Sequence, residues 1–244
     1  MTIAIAAPPA LELRSITGGY GHTTVLRGVD ITVPASSVTA LLGANGAGKT
    51  TLLKTVSGLL RPTAGAVVID GEDVTKLSPY RRTARGVCHI PEGRGIFRGL
   101  TVRDNLIMQA ERGGEAQAIE RATEAFPLLG QRFRQTAGTL SGGEQQMLAM
   151  ARAYVRDPRL ILVDEASLGL APLIVDSIFE FLQRLAHEGV ALLIVDQFVT
   201  RALGMASSAY VLSRGEVTYA GSADELMGRD VFKEYIGNPV GGAS

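Results

Sequence analysis

The chain has 244 residues, of which 46% are hydrophobic and 20% charged, a balance typical of one large globular domain. Its 24 basic residues equal its 24 acidic residues, which disfavours a general binder of nucleic acid or anionic lipid. The single cysteine, Cys88, excludes an internal disulfide and a cysteine-rich zinc site. No apolar run reaches the roughly 18 residues that a membrane-spanning helix needs.

The first part of the chain predicts an antiparallel β subdomain. Residues 1–10 are apolar but lack a basic region and contain two prolines, which predicts a short flexible leader. Residues 11–16, 29–33 and 66–69 have the length and apolar content of strands, and glycine or proline turns separate them. We therefore expect short strands here that pair with one another.

A glycine-rich loop at residues 43–50 has the sequence Gly-Ala-Asn-Gly-Ala-Gly-Lys-Thr. It lies between the apolar run Val38–Leu42 and a helical pattern, which is the context that a phosphate-binding loop requires. Glycines let backbone N–H groups surround phosphate oxygens, and the following helix adds its N-terminal dipole. We expect Lys49 to meet the β- and γ-phosphates and Thr50 to meet Mg²⁺. The predicted nucleotide-binding residues of this segment are Gly43, Asn45, Gly46, Ala47, Gly48, Lys49, Thr50 and Thr51.

A second glycine cluster, at residues 140–146, begins with Leu-Ser-Gly-Gly-Glu. Ser141 and Glu144 have the spacing of a capping box, so a helix is predicted to begin here. Gly142 and Gly143 at its N terminus make a second candidate anion site. Many helices begin in this way without binding a ligand, so this segment alone leaves both interpretations open.

Two adjacent carboxylates follow an aliphatic strand. Leu160–Asp164 is preceded by Pro158 and predicts a strand that is buried on both faces, as in a parallel sheet. Its acidic end lies where α/β folds place their ligands. Neighbouring strand residues point to opposite sides, so we expect Asp164 to serve a Mg²⁺ ion and Glu165 to serve as a general base for water.

The remaining pattern predicts one main domain over residues 11–236. Residues 93–155 are mostly helical and form a predicted subdomain inserted between two core strands. From residue 160 onward strands and helices alternate, which favours a parallel sheet covered by helices. The basic stretch at 81–85 predicts a solvated helix face, and the glycine-rich residues 237–244 predict a flexible tail.

These motifs, in this order, resemble the ATP-binding subunit of ATP-binding-cassette (ABC) transporters over nearly the full chain. The resemblance implies an α/β P-loop NTPase fold with a RecA-like parallel core, an antiparallel β subdomain and an inserted helical subdomain. It implies ATP and Mg²⁺ as ligands, with Tyr20 stacked on adenine. In this family the segment matching residues 140–144 contacts the γ-phosphate of the nucleotide held by the opposite subunit. The resemblance also implies that Glu165 is the catalytic base.

Two departures narrow the resemblance. Glu92 stands where most cassettes have glutamine, and Gln197 stands where most have histidine. The segments at 91–94 (Pro-Glu-Gly-Arg) and 167–172 (Ser-Leu-Gly-Leu-Ala-Pro) are similar to the smaller ATP-binding subunit of the branched-chain amino-acid importer. The implied catalytic residues are Glu165, Lys49 and Gln197, and the implied metal ligands are Thr50, Asp164 and Glu92.

Three further positions lie next to the predicted catalytic residues Glu165 and Gln197. Asp196, before Gln197, resembles the Glu-Gln pair of the same subgroup. Ala166 replaces the usual proline, and Phe198 replaces a small polar residue. Neither change removes a ligand group, but Phe198 leaves open how the predicted strand at 190–195, before Gln197, ends.

The resemblance also implies an assembly. Two cassettes face head to tail, with each ATP between the phosphate loop of one and residues 141–143 of the other. The partner cassette is a paralogous ATP-binding subunit, and both cassettes bind to permease subunits. A substrate-binding protein delivers the transported molecule to the permease. This chain would then be peripheral, on the cytoplasmic face of the inner membrane, and would bind no nucleic acid.

Three alternatives stay open. The ATP-binding subunits of urea or short-amide importers look much alike. A non-transport cassette ATPase of DNA repair or translation usually carries two cassettes, coiled-coil insertions or basic extensions. A small-molecule kinase built on the same phosphate loop is disfavoured by the sequence at 140–144.

Overall fold

The computed structural model describes residues 7–93, 95–110 and 113–228. Most of the predicted leader, the predicted tail and Arg94 lie outside these described residues. In chain order the elements are β1 (Leu11–Tyr20), β2 (Thr23–Val33), β3 (Val38–Leu42), α1 (Lys49–Val56), β4 (Ala64–Ile69), β5 (Glu72–Asp73), α2 (Pro79–Thr83), β6 (Val87–Ile90), α3 (Val102–Ile107), α4 (Glu115–Ala125), α5 (Pro127–Gln131), a 3-10 helix (Ala137–Thr139), α6 (Gly142–Tyr154), β7 (Leu160–Asp164), α7 (Pro172–His187), β8 (Ala191–Val195), α8 (Val199–Met205), β9 (Ser208–Ser213), β10 (Glu216–Ser222) and α9 (Ala223–Met227).

Strands β1, β2, β4 and β5 form an antiparallel sheet in the order β2-β1-β4-β5. The sheet has one buried face and one solvated face, as the alternation along β2 shows, where the buried residues are Leu26, Val29, Ile31 and Val33. Strand β1 is longer than predicted from the sequence. Pairing with β2 continues through Gly18 and Gly19 to Tyr20, although the register shifts at these glycines.

The second sheet has the order β10-β9-β3-β8-β7-β6, and its strands from β9 to β6 are parallel. Every residue of β3, β7 and β8 is buried, which explains why their sequences are mainly aliphatic. The carboxyl ends of β3, β6, β7 and β8 therefore lie at one edge. The predicted α/β fold, with a parallel core and separate antiparallel strands, is confirmed.

Helices α3 to α6 lie between β6 and β7 in the chain. Helix α4 begins after Gly114 and α5 begins with Pro127, where glycine and proline interrupt the helical pattern. The rings of Phe126 and Phe181 lie 4.7 Å apart and join this helical region to α7. Among the residues described here, no helix is long and apolar enough to cross a membrane.

The predicted solvated face at residues 81–85 is wrong at Arg82, which is 1% exposed. Its guanidinium donates hydrogen bonds of 2.7 Å to the carbonyls of Thr55 and Val56 and of 3.0 Å to that of Thr75. The first two carbonyls lie in the last turn of α1, where carbonyls lack the regular helical hydrogen bond and carry partial negative charge. A buried cation thus anchors the helix that follows the phosphate loop.

Arg82→Ala should lower the free energy of unfolding by about 3–5 kcal/mol, because three charge-assisted hydrogen bonds are lost and the acceptors stay buried. Arg81→Ala is the matched control, since Arg81 is exposed and should change stability by less than about 0.5 kcal/mol. Urea unfolding of both variants measures the difference. Equal losses in the two proteins would contradict the anchoring role.

Candidate nucleotide-binding site

The loop at residues 43–50 connects the buried end of β3 to the first turn of α1. Gly46 and Gly48 have φ angles of 79° and 111°, in the region that favours glycine. Gly48 is the N-cap of α1, and a Cβ there would lie 3.1 Å from the Leu26 side chain. The tight loop and the helix N terminus behind it are the arrangement that proteins use for phosphate.

Lys49 lies across its own loop. Its Nζ donates hydrogen bonds to the carbonyls of Gly43 at 2.8 Å and Ala44 at 3.1 Å. Burial lowers the pKa of Lys49, and the negative charges of Glu165 and Asp164 oppose that shift. The ammonium is therefore held at the loop, close to both acidic residues.

Asp164 and Thr50 meet at the candidate metal position. The Thr50 hydroxyl donates to Asp164 Oδ1 at 3.3 Å, and Asp164 is 1% exposed at the end of β7. Burial raises the pKa of Asp164, the Thr50 hydrogen bond opposes this, and the carboxylates of Glu165 and Glu92 raise it further. These groups thus share one edge of the sheet, although Glu92 is exposed.

The donor set fits Mg²⁺. A hydroxyl and a carboxylate are hard oxygen ligands, and Mg²⁺ in nucleotide sites takes only one or two protein ligands besides phosphate and water. Within the described parts of the chain, no group of three or more acidic, histidine or cysteine side chains could enclose a metal by itself. Glu92 as a third ligand stays a prediction.

Glu165 turns the chain sharply after β7. Its φ angle is 47°, which is uncommon for a residue with a side chain, and its backbone N–H donates to the Val195 carbonyl at 2.8 Å. Glu165 is half-buried whereas Asp164 is buried. The two carboxylates therefore occupy different environments, as their different predicted roles require.

The Ser141 segment forms the predicted capping box. Ser141 Oγ accepts a hydrogen bond from the backbone N–H of Glu144 at 3.3 Å, and the Glu144 carboxylate accepts one from the N–H of Ser141 at 2.8 Å. A Cβ on Gly143 would lie 2.8 Å from the Ile174 side chain, so glycine is needed for close packing. Helix α6 packs mainly against the neighbouring helices and β6 rather than against α1.

Gln197 and its neighbours end strand β8. Gln197 is exposed, whereas the preceding Asp196 is 7% exposed and binds Ser167 and the backbone of Phe198. Phe198 is the N-cap of α8 and provides no side-chain cap. The role of Asp196 was not predicted from the sequence, since only its resemblance to an acidic family position marked it.

Tyr20 ends β1 with its side chain 48% exposed, and Lys54 Nζ of α1 lies 5.9 Å from the ring centroid. Tyr20→Ala should weaken ATP binding by about 1–3 kcal/mol if the ring stacks on adenine. Tyr80→Ala is the control, because Tyr80 is also exposed but lies on α2. Titration calorimetry with ATP and with inorganic triphosphate measures this, and an unchanged ATP affinity would mean that Tyr20 is only a strand-end residue.

Comparison with known proteins gives a consistent result. A family model described as ABC transporter matches residues 26–168. The chain is 40% identical over 210 residues to the high-affinity branched-chain amino acid transport ATP-binding protein BraG of Pseudomonas aeruginosa, covering 85% of this chain and 90% of that protein. It is 34% identical over 233 residues to the lipopolysaccharide export system ATP-binding protein LptB of Haemophilus influenzae, covering 93% and 97%. The solved ADP conformation of an ATP-binding cassette of an ABC transporter aligns with a TM-score of 0.80 at 25% identity, over 94% of this chain and 99% of that one.

Proposed function

The chain belongs to the ABC transporter family and is an ATP hydrolase coupled to transport, and we propose that it energises the uptake of branched-chain amino acids. The observation that carries the substrate class is the 40% identity to a branched-chain amino-acid transport subunit over 85% of this chain. The segments at 91–94 and 167–172, with the Asp196-Gln197 pair, support the same subgroup.

ATP binding follows from the phosphate loop. We propose that the triphosphate sits on the loop at residues 43–50, with adenine against Tyr20. Lys49 then exchanges its hydrogen bonds to loop carbonyls for the β- and γ-phosphates. Thr50 and Asp164 would hold Mg²⁺, which neutralises charge on the phosphate oxygens.

Hydrolysis needs a group that accepts a proton from water. Glu165 is the candidate, because it is half-buried at the carboxyl end of β7 and its charge acts on Lys49. The carboxylate would orient the attacking water and take its proton. Gln197, exposed after β8, would donate a hydrogen bond to the γ-phosphate from its amide.

A second cassette completes the site. Residues 141–143 lie at the N terminus of a 13-residue helix, whose backbone N–H groups and dipole can bind an anion. We propose a head-to-tail dimer with a paralogous subunit, in which each Ser141 segment faces the partner's ATP.

The membrane partners are proposed to be permease subunits, which receive the amino acid from a substrate-binding protein. A groove of about 320 Å³ between the core and the helical region is lined by residues that include Leu59, Pro79, Pro91 and Gln109. Leu59 is 63% exposed, and Tyr80 on the neighbouring helix is 76% exposed. We propose that the permease covers this groove and its exposed apolar side chains, which would hold the chain to the cytoplasmic face of the inner membrane.

Co-purification from detergent-solubilised membranes tests the assignment. The tagged chain should retain two permease subunits of an amino-acid importer and a second ATP-binding subunit. Leu59→Glu should release the permease. Leu173→Glu should retain it, because Leu173 is also exposed but lies outside the groove. Recovery of urea-importer or lipopolysaccharide-export membrane proteins instead would overturn the substrate class.

Lipopolysaccharide export is the second candidate, since the relative with that function is 34% identical and matched over 97% of its length. It is weaker because identity to the branched-chain amino-acid subunit is higher. The same purification separates the two candidates.

The ATPase pH–rate profile of the wild-type chain should have no limb that is due to Gln197, because an amide does not titrate. Gln197→His should add a limb between about pH 6 and 7.5, where imidazole changes charge. Gln197→Ala should slow hydrolysis and leave ADP affinity nearly unchanged, since ADP has no γ-phosphate. ATPase rates against pH at saturating ATP measure all three proteins. Superimposable profiles at equal rates would show that residue 197 does not touch the nucleotide.

A further inference from the structure

We propose that Asp196 is a positioning residue that clamps the loop after β7 to the loop after β8, so that Glu165 and Gln197 are placed together at the nucleotide. The inference rests on the proposed hydrolytic roles of these two residues.

The clamp is a set of hydrogen bonds to one buried carboxylate. Asp196 Oδ1 accepts from the Ser167 hydroxyl and, at 2.9 Å, from the backbone N–H of Phe198. Asp196 Oδ2 accepts from the backbone N–H of Ser167 at 3.3 Å. All three donors belong to the two loops, and Asp196 itself is 7% exposed.

The carboxylate continues the sheet beyond its last backbone pair. The parallel register of β7 and β8 ends at Asp164 and Val195, and the N–H of Glu165 donates to the Val195 carbonyl. One residue beyond β8, the Asp196 side chain, rather than a backbone carbonyl, accepts the hydrogen bonds from the loop after β7. The loops are thus joined past the point where strand pairing stops.

A charged acceptor suits this position. Burying a carboxylate is costly unless hydrogen bonds satisfy it, and bonds to an ionised acceptor are stronger than neutral ones. No basic side chain among the residues that the structure describes forms a salt bridge with Asp196. The hydrogen bonds from Ser167 and Phe198 therefore offset the cost of burying the Asp196 carboxylate. The positions of these two residues in turn depend on the carboxylate.

Each loop needs this support. Glu165 adopts a φ angle of 47°, a conformation that persists only when its surroundings hold it. Ser167, two residues later, is one of the donors. On the other loop, Phe198 begins α8 without a side-chain cap, and Asp196 accepts its N–H instead. Gln197 lies between these two anchored positions.

The test compares Ser167→Ala, Asp196→Asn and the double variant in steady-state ATPase and ATP-binding assays of the purified full chain. Ser167→Ala removes one hydrogen-bond donor to the carboxylate. Asp196→Asn replaces one carboxylate oxygen by an NH₂ group, which cannot accept a hydrogen bond from the Ser167 or Phe198 donors. Each single change should lower kcat roughly 10- to 100-fold, the scale of a misplaced reacting group, while the Kd for ATP stays within about threefold. The double variant should lose no more than Asp196→Asn alone, because the hydrogen bond that Ser167→Ala removes is one of those that Asp196→Asn already disrupts.

Ser177→Ala is the matched control, because the Ser177 hydroxyl donates to the Leu173 carbonyl of its own helix and should leave kcat unchanged. If Asp196→Asn does not fold, Ser167→Ala decides the outcome. A kcat within twofold of wild type, fully additive losses, or a loss confined to ATP affinity would overturn the clamp. A wild-type chain without ATPase activity would instead overturn the proposed hydrolytic roles.

Discussion

Replacing Glu165 by glutamine should slow ATP hydrolysis about 10²–10⁴-fold, because the amide does not accept the proton of the attacking water. Glutamine has nearly the same shape, and the ligands expected for phosphate and Mg²⁺, Lys49, Thr50 and Asp164, stay in place. ATP binding should therefore persist. The unhydrolysed nucleotide should also hold two cassettes together.

Single-turnover ATPase rates and size-exclusion chromatography with ATP and Mg²⁺ measure both effects. Glu216→Gln is the control, since Glu216 is an exposed carboxylate on β10. We expect an ATP-dependent dimer peak only for Glu165→Gln. Hydrolysis at the wild-type rate in that variant would assign the proton transfer to another group.

Lys49→Ala should weaken ATP binding by about 2–5 kcal/mol, or roughly 30- to 5,000-fold in Kd, because the phosphates would face only backbone dipoles. The lysine is held at the loop by its two carbonyl contacts, so the charge is already in place before the nucleotide binds. Its removal takes away a directed cation that distant surface lysines do not replace.

Equilibrium titration with ATP, with ADP and with adenosine measures this loss. The exposed Lys76 offers a control, and Lys76→Ala should bind ATP normally. The affinity for adenosine, which has no phosphate, should be unchanged in Lys49→Ala. Near-normal ATP affinity in that variant would contradict the assignment of the phosphate loop.

The phosphate loop, the capping box and the parallel core were predictable because each depends on a local pattern. Residues 43–50 carry the complete loop motif, Ser141 and Glu144 have capping-box spacing, and the aliphatic runs of β3, β7 and β8 follow from burial on both faces. Strand pairing then brings Thr50 to Asp164, as expected from the shared carboxyl edge.

Features that depend on distant partners were not predictable in this way. Arg82 lies in a basic stretch typical of a solvated face, but its acceptors are carbonyls at residues 55, 56 and 75. The contact of Asp196 with Ser167 joins positions 29 apart and has no local signature. The roles of Tyr20, Glu92 and Gln197 stay predictions, because their expected partner is the nucleotide or its metal. The same holds for the ligand contacts expected of residues 43–51, Asp164, Glu165 and residues 141–143.

Uptake of labelled leucine by cells lacking the chromosomal copy of this chain tests the central claim most directly. Cells that express the wild-type chain should accumulate leucine, and cells that express Glu165→Gln at the same level should not. Urea uptake should be the same in both. Equal leucine uptake with the two proteins, or restoration of urea uptake alone by the wild type, would contradict an ATPase that energises branched-chain amino-acid import.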